Sequence, residues 1–300
     1  MMPEDLPQDR QLEPAWLSAT VTAALDEDLG ANPGRDVTTQ ATISSSVQVV
    51  GDVVVRDDGV LAGIDIVEAV VGQVAQRLGL DKPTVERLAA DGDLIAAGTT
   101  VARIAGAGHV VLIAERTLLN LMSRASGVAT HTRRWADALG GTGARVLDTR
   151  KTTPLLRELD KYAVRCGGGV NKRFGLYDCA MVKDNHIVAA GSVAGAVDAI
   201  RNAFPDVPIQ VEVESERQAL EALDAGVTFL MLDNMVPVDM RHLVTRIRGL
   251  EERYGVIQLE ATGGLTLDNA AAVGATGVDF MSVGALTHSS PILDIALDLR

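Results

Sequence analysis

The residues best suited to chemistry stand at the ends of short apolar runs. Asp148-Thr149-Arg150-Lys151 ends ARVLDTRK, Lys183-Asp184-Asn185 ends CAMVKDN, and Glu212-Val213-Glu214 ends IQVEVE. Asp233-Asn234 ends TFLMLDN, Glu260-Ala261-Thr262 ends VIQLEAT, and Ser282-Val283-Gly284 ends VDFMSVG. Short apolar runs separated by helical segments read as buried parallel strands, and in a barrel the C-terminal strand ends face the active site. Polar groups delivered to one rim by this many runs exceed what packing requires.

The cations are also concentrated. Residues 150 to 183 hold Arg150, Lys151, Arg157, Lys161, Arg165, Lys172, Arg173 and Lys183, opposed only by Glu158, Asp160 and Asp178. The charges at 157, 158, 160 and 161 read as the solvated face of a helix. Arg150, Lys151 and Lys183 sit at strand ends, where clustered cations call for a ligand with several negative charges.

Gly167-Gly168-Gly169 precedes Asn171-Lys172-Arg173 and reads as an anion-binding loop, since glycine permits close backbone approach. It is not a GxxxxGK[ST] phosphate loop. Glu212 and Asp233 could hold Mg²⁺ on a diphosphate or pair directly with the Lys and Arg cluster; the spacing leaves both open. Thr262-Gly263-Gly264 and Ser282-Val283-Gly284-Ala285 suit a phosphate cradled on backbone N–H groups. The five histidines show no metal spacing and read as surface or core residues, with His186 near the rim. AGAGHVV at 105–111 lacks the third glycine of a dinucleotide turn.

The elements that must position these residues follow from the pattern. Helices are predicted over 15–29, 64–79 and 114–130, where Leu118, Leu121, Met122 and Ala125 share one stripe. GANPGRDVTT reads as a loop, 47–56 as a strand with a bulge or bend at Gly51, and Val85 to Ile113 as β-like. Beyond the long helix, where a domain junction is placed, helices are predicted near 154–166, 192–204, 215–225, 238–254 and 266–275. Ser215 and Gln218 fit a capping box. This alternation implies βαβ units and a parallel sheet, open or closed into a barrel.

Bulk properties exclude several classes. At 300 residues and 47% hydrophobic, the chain can bury a large core. A net charge of −13 disfavours nucleic acid and anionic lipid. There is no signal-peptide pattern and no apolar span of membrane length. Cys166 and Cys179 read as reduced thiols of a cytoplasmic protein. The polar first dozen residues are expected to be mobile.

The motifs GluArgThrLeuLeuAsn at 115–120, ThrArgLysThrThrPro at 149–154 and GlyGlyGlyValAsnLysArg at 167–173 resemble those of the quinolinate phosphoribosyltransferases. So do LysAspAsnHis at 183–186, ValGluValGlu at 211–214 and ThrGlyGly at 262–264, in the same order along the chain. The resemblance implies an α/β protein: an N-terminal α/β sandwich domain over 1–127, joined by the C-terminal tail 288–300, and an incomplete parallel α/β barrel over 128–287. It implies a homodimer with shared active sites, or a higher oligomer built on it.

The implied substrates are quinolinate and phosphoribosyl pyrophosphate, and the implied cofactor is Mg²⁺. Arg116 would reach the neighbouring subunit's quinolinate. Thr149, Arg150, Lys151, Lys172, Arg173 and Lys183 would line the dicarboxylate and phosphate pocket. Glu212 and Asp233 would serve the magnesium–phosphoribosyl end, with Lys151, Glu212 and Asp233 as the catalytic set. Thr262, Gly263, Gly264, Gly284, Ala285 and Leu286 would bind phosphate. Lys172 departs from the family, which often has histidine there; lysine keeps a cation but loses a neutral donor–acceptor option.

The chemistry implied is pentosyl transfer with decarboxylation, giving nicotinate mononucleotide, CO₂ and pyrophosphate in NAD biosynthesis. A Schiff-base lyase built on Lys151 or Lys183 is the competing enzyme class. A relative that binds another pyridine or phosphosugar is a further alternative.

Overall fold

A computed structural model describes residues 11–30 and 32–300. Most of the N-terminal segment expected to be mobile lies outside the described residues. The order is α1 (Pro14–Leu29), α2 (Val37–Thr42), β1 (Gln48–Val55), β2 (Gly59–Val60), α3 (Ile64–Leu78), β3 (Thr84–Arg87), β4 (Leu94–Ile95), β5 (Thr100–Ala107) and α4 (Gly108–Ala138). Then come β6 (Arg145–Leu147), α5 (Arg157–Cys166), β7 (Ala180–Val182), α6 (Asp184–Ala190), α7 (Val193–Ala203), β8 (Ile209–Val213), α8 (Glu216–Asp224) and β9 (Phe229–Asp233). The chain ends with α9 (Pro237–Arg248), α10 (Glu251–Tyr254), β10 (Gln258–Thr262), α11 (Leu267–Gly274), β11 (Phe280–Ser282), α12 (Ala285–His288) and β12 (Ile295–Leu299). No helix among the described residues is long and apolar enough to cross a membrane.

The chain divides into two compact units. One runs to His131 and includes Thr153–Gly168 and Ser289–Arg300; the other comprises Thr132–Thr152 and Gly169–His288. In the first, an antiparallel sheet has the order β12-β1-β5-β3, so the C-terminal strand closes one side of an N-terminal sheet. Pro14 at the first helical position and the Glu13 carboxylate, which accepts from the Ala15 N–H, start α1.

Several local expectations need correction in this unit. The β1–β5 irregularity falls between Val53 and Val54, and Gly51 stays in register. The β-like stretch ends at Ala107, since Gly108 to Ile113 already belong to α4. Asp36 caps α2 through the Thr38 and Thr39 N–H groups, so the loop read from GANPGRDVTT ends before Val37.

The larger correction concerns α5. Its charged residues are no solvated face: Asp160 and Lys161 are fully buried and Arg165 is nearly so. Asp160 takes an ion pair from Arg124 at 2.9 Å and the Thr153 N–H at 3.0 Å. Charge alternation resembled a surface helix, but partners distant in sequence make burial tolerable.

The C-terminal segment is held on α4. Leu293 N donates to Ser123 O at 3.0 Å, and His131 Nδ1 lies 2.8 Å from Ser290 Oγ. Gly127 makes this possible, because a Cβ there would sit 2.0 Å from Pro291 O and 2.8 Å from Ile292 Cα. Those neighbours are backbone and cannot rotate away. Gly127→Ala is therefore expected to lower unfolding free energy by about 1–3 kcal/mol, read as a shift in the urea midpoint. An unchanged midpoint would show that the tail is loosely held.

In the second unit, parallel strands take the order β6-β11-β10-β9-β8-β7. The strand set is six, and the sheet is an incomplete, unclosed barrel. Val170 adds a parallel bridge to Leu147 on the outer side of β6. Side chains alternate faces along a strand. In β9, Phe229, Met231 and Asp233 therefore share one face, and Leu230 and Leu232 take the other. Leu147, Val170, Phe229, Met231 and Phe280 form a buried cluster on the first of these faces. Phe229 and Phe280 stack with centroids 6.0 Å apart. This apolar plug leaves the next inward positions, at the C-terminal strand ends, to build the site.

The helices of this unit fall close to expectation, with three differences. Gly249 and Leu250 divide the predicted 238–254 helix into α9 and α10. A short helix, α6, follows β7, with the His186 imidazole accepting from the Lys183 N–H at 3.0 Å. The capping box at α8 is half formed: Ser215 accepts from Gln218 N, while Gln218 Oε1 accepts from Glu214 N.

Candidate active site

The same alternation aims a set of polar side chains into one cavity. Glu212 stands two residues beyond Gln210, Asp233 beyond Met231, Thr262 beyond Glu260, and Ser282 beyond Phe280. In register, Thr262 pairs with Asp233, placing these groups side by side on adjacent strands. They open onto a cavity of about 730 Å³. Its wall includes Thr149, Arg150, Lys151, Lys172, Arg173, Lys183, Glu212, Asp233, Thr262, Gly263, Gly264, Gly284 and Ala285. Cations and acids separated by more than a hundred residues thus meet in one place. Leu286 is fully buried and absent from the wall. Arg116, exposed on α4 in the other unit, is also absent from it.

The cations differ in their partners. Lys183 Nζ is 2.8 Å from Glu212 Oε2, and Lys172 Nζ is 2.6 Å from Glu260 Oε1. Arg173 donates from Nη1 to Cys179 O at 2.9 Å, but its Nε is buried without a partner. Arg150 Nε is likewise buried and unpartnered. Burial, then the charge of Arg150, pulls the Arg173 guanidinium below its ordinary pKa. Two arginines held near each other with unused donors form a site prepared for an anion.

Backbone features fix this arrangement. Asp148 is fully buried and accepts the Lys172 N–H at 2.8 Å and the Asn171 side-chain amide at 2.6 Å. It stands at a strand end, yet it braces the 171–173 loop and does not line the cavity. The Gly167–Gly169 run is also absent from the wall; Gly167 ends α5, its N–H donating to Ala163 O at 3.0 Å, and Gly168 takes φ +87°. Thr149 Oγ1 accepts from Lys151 N at 3.1 Å, and Thr287 Oγ1 donates to Lys151 O at 2.7 Å.

The acidic side has its own character. Burial, then the charge of Glu212, holds the Asp233 carboxyl above the usual carboxylate range, while the Asn234 amide, donating at 2.7 Å, opposes this. Asn234 adopts φ +53°, and Gly263 has φ +83° with its missing Cβ 2.1 Å from Asn234 Oδ1. Only glycine fits there by both conformation and space. The turn after β10 therefore leaves backbone facing the cavity.

Sequence reasoning missed several wall residues, Glu260, Met181, Met231 and His288 among them. Glu260 was visible as a strand-end acid, but nothing in the spacing tied it to Lys172. Met181 and Met231 read as core. His288 gave no signal, because its place depends on α12 folding back beside Lys151: a Cβ on Gly284 would lie 3.0 Å from Lys151 Cδ and 3.3 Å from His288 Nε2.

Comparison with known proteins agrees with this architecture. Residues 36–126 match the family described as quinolinate phosphoribosyl transferase, N-terminal domain, and residues 128–298 match its C-terminal domain. The chain is 46% identical to the nicotinate-nucleotide pyrophosphorylase [carboxylating] of Mycobacterium leprae, over 93% of this chain and 96% of that protein. It is 38% identical to the chloroplastic protein of that name from Arabidopsis thaliana, covering 94% of this chain and 82% of the other. The crystal structure of NadC from Streptococcus pyogenes superposes with a TM-score of 0.89 at 36% identity, covering 97% of this chain and 98% of that one. The cation-lined cavity at the strand ends thus sits in a chain that belongs to the quinolinate phosphoribosyl transferase family.

Proposed function

We propose that the chain transfers the phosphoribosyl group of phosphoribosyl pyrophosphate to the ring nitrogen of quinolinate, with loss of CO₂, to give nicotinate mononucleotide for NAD biosynthesis. The observation that carries this reading is the convergence of Arg150, Lys151 and Arg173, without carboxylate partners among the described residues, beside Glu212 and Asp233 in one cavity. A planar ring with two adjacent carboxylates suits two guanidinium forks and an ammonium.

Arg150 and Arg173 hold the ring carboxylates and so set the nitrogen against the anomeric carbon. Fixing two reactants in this way supplies much of the acceleration. The C–O bond to pyrophosphate breaks and the C–N bond forms, through an oxocarbenium-like centre. The ring then carries a positive charge. Its carboxylate next to nitrogen departs as CO₂, leaving the bonding pair on the ring carbon, which takes a proton. Lys151 stabilises the departing negative charge, and Lys183, paired with Glu212, holds that acid in place. The Thr262–Gly264 turn and Gly284–Ala285 present backbone to phosphate.

Glu212 and Asp233 fit a magnesium ion. They lie on adjacent strands close enough for one charge to perturb the other. A magnesium ion here would take one or two carboxylates and complete its shell with phosphate and water. When bound, Mg²⁺ neutralises charge on the diphosphate. The working form is a homodimer in the cytoplasm, in which Arg116 of one copy adds a cation to the quinolinate held by the other.

Two experiments check the reading. With phosphoribosyl pyrophosphate and Mg²⁺, quinolinate should yield a mononucleotide and nicotinate should not; the reverse preference would contradict it. Lys151→Ala and Glu212→Ala should each abolish turnover while leaving the fold intact by circular dichroism. Near-native activity in either removes that residue from the scheme.

A further inference from the structure

We infer that Glu260 is a specificity-determining residue: by cancelling Lys172 inside the cavity, it sets how many negative charges the site accepts. The inference rests on the assignment of this cavity to a pyridine dicarboxylate. Glu260 is fully buried on the inner face of β10, and Lys172 is 5% exposed. Their ion pair is 2.6 Å long, and Met231 Sδ is 3.0 Å from the same ammonium. Asp148 fixes the Lys172 backbone at 2.8 Å, so the side chain starts from a braced position.

This pair changes the charge balance read from sequence, which counted Lys172 among the anion-binding cations. Lys183 is matched by Glu212 and Lys172 by Glu260. Among the described residues, Arg150, Lys151 and Arg173 have no ion-pair partner, and these are left for the ligand. The other Glu260 oxygen, Oε2, is buried and makes no hydrogen bond. A buried acceptor left unsatisfied costs free energy. That cost is expected of a carboxylate kept for its charge, and an amide of the same shape would hold position without cancelling anything. Removing either partner changes the charge of the buried site. Without the Glu260 charge the cavity is one unit more positive, and the site favours more highly charged rings. Without Lys172, Glu260 becomes an uncompensated anion and the preference reverses.

The test measures direct binding of two unreactive rings, benzene-1,2-dicarboxylate and benzene-1,2,3-tricarboxylate, by titration calorimetry at fixed ionic strength. Glu260→Gln should shift the affinity ratio toward the tricarboxylate by about tenfold or more, and Lys172→Met should shift it the other way by a similar factor. Lys172→Met/Glu260→Gln should return the ratio to within about threefold of the native value. A purely structural role weakens both rings together and gives no shifts of opposite sign. If Glu260→Gln does not fold, the Lys172→Met shift and its reversal in the double variant decide the matter. Unshifted ratios, shifts of the same sign, or no reversal in the double variant overturn the inference alone. A native protein that binds neither ring overturns the site assignment and this inference with it.

Discussion

Replacing Arg150 by methionine is expected to lower kcat/KM for quinolinate by roughly 30- to 5,000-fold, equivalent to about 2–5 kcal/mol, while leaving the protein no less stable. The size follows from the state of the side chain. Arg150 makes no hydrogen bond or ion pair among the described residues, and its Nε is buried unsatisfied, so its donors are unused in the free protein. Its loss deprives a desolvated carboxylate of its partner. The stability half follows from Arg173, whose pKa is pulled down partly by the charge of Arg150. Removing Arg150 removes a repulsion present in the free enzyme. Activity and stability should thus move apart, as expected where a site is held strained for function. A variant with lower thermal stability and unchanged kcat/KM would show that Arg150 serves the fold.

Asp233→Asn is expected to lower kcat/KM for phosphoribosyl pyrophosphate by about 100- to 1,000-fold. Binding of benzene-1,2-dicarboxylate should stay within about threefold of native. Asp233 ends β9 on the cavity face, and Asn keeps its shape while removing its charge. Burial and the charge of Glu212 both raise the Asp233 pKa, so added positive charge beside Asp233 favours its ionised form. On the proposed reading, Asp233 acts at the phosphoribosyl end of the cavity and leaves the ring-binding end unchanged. Isothermal titration and steady-state kinetics on one preparation separate the two ends of the cavity. Equal losses at both ends would mean that Asp233 braces the whole site.

These predictions rest on features of unequal visibility in the sequence. Position at the ends of apolar runs was enough to bring Glu212, Asp233 and Thr262 to one rim, because parallel strands present their C-terminal ends on the same side. Each apolar run carried its own evidence, and the parallel sheet followed from the helices between them. Asp148 shows the limit of that logic. It occupies the same strand-end position, yet it turns to the 171–173 loop, and only the parallel bridge at Val170 reveals why.

The α5 charges failed for a related reason. Their spacing is that of a surface helix, and what buries Asp160 is Arg124, thirty-six residues away. Ion pairing across such separations leaves no periodic trace, and the Lys172–Glu260 pair, eighty-eight residues apart, was invisible for the same reason. The glycine run lies off the cavity wall, since a helix end uses glycine as readily as an anion loop does.

The central claim is that this cavity joins a ring dicarboxylate to a phosphoribosyl diphosphate in one coupled reaction. Quinolinate carrying a labelled carbon in the carboxylate adjacent to nitrogen tests it most directly, with labelled CO₂ and pyrophosphate counted in the same vessel. Equal amounts of the two are expected, both dependent on phosphoribosyl pyrophosphate and both strongly lowered in Arg150→Met. Pyrophosphate released without CO₂, or CO₂ released in the absence of the phosphoribosyl donor, would contradict it.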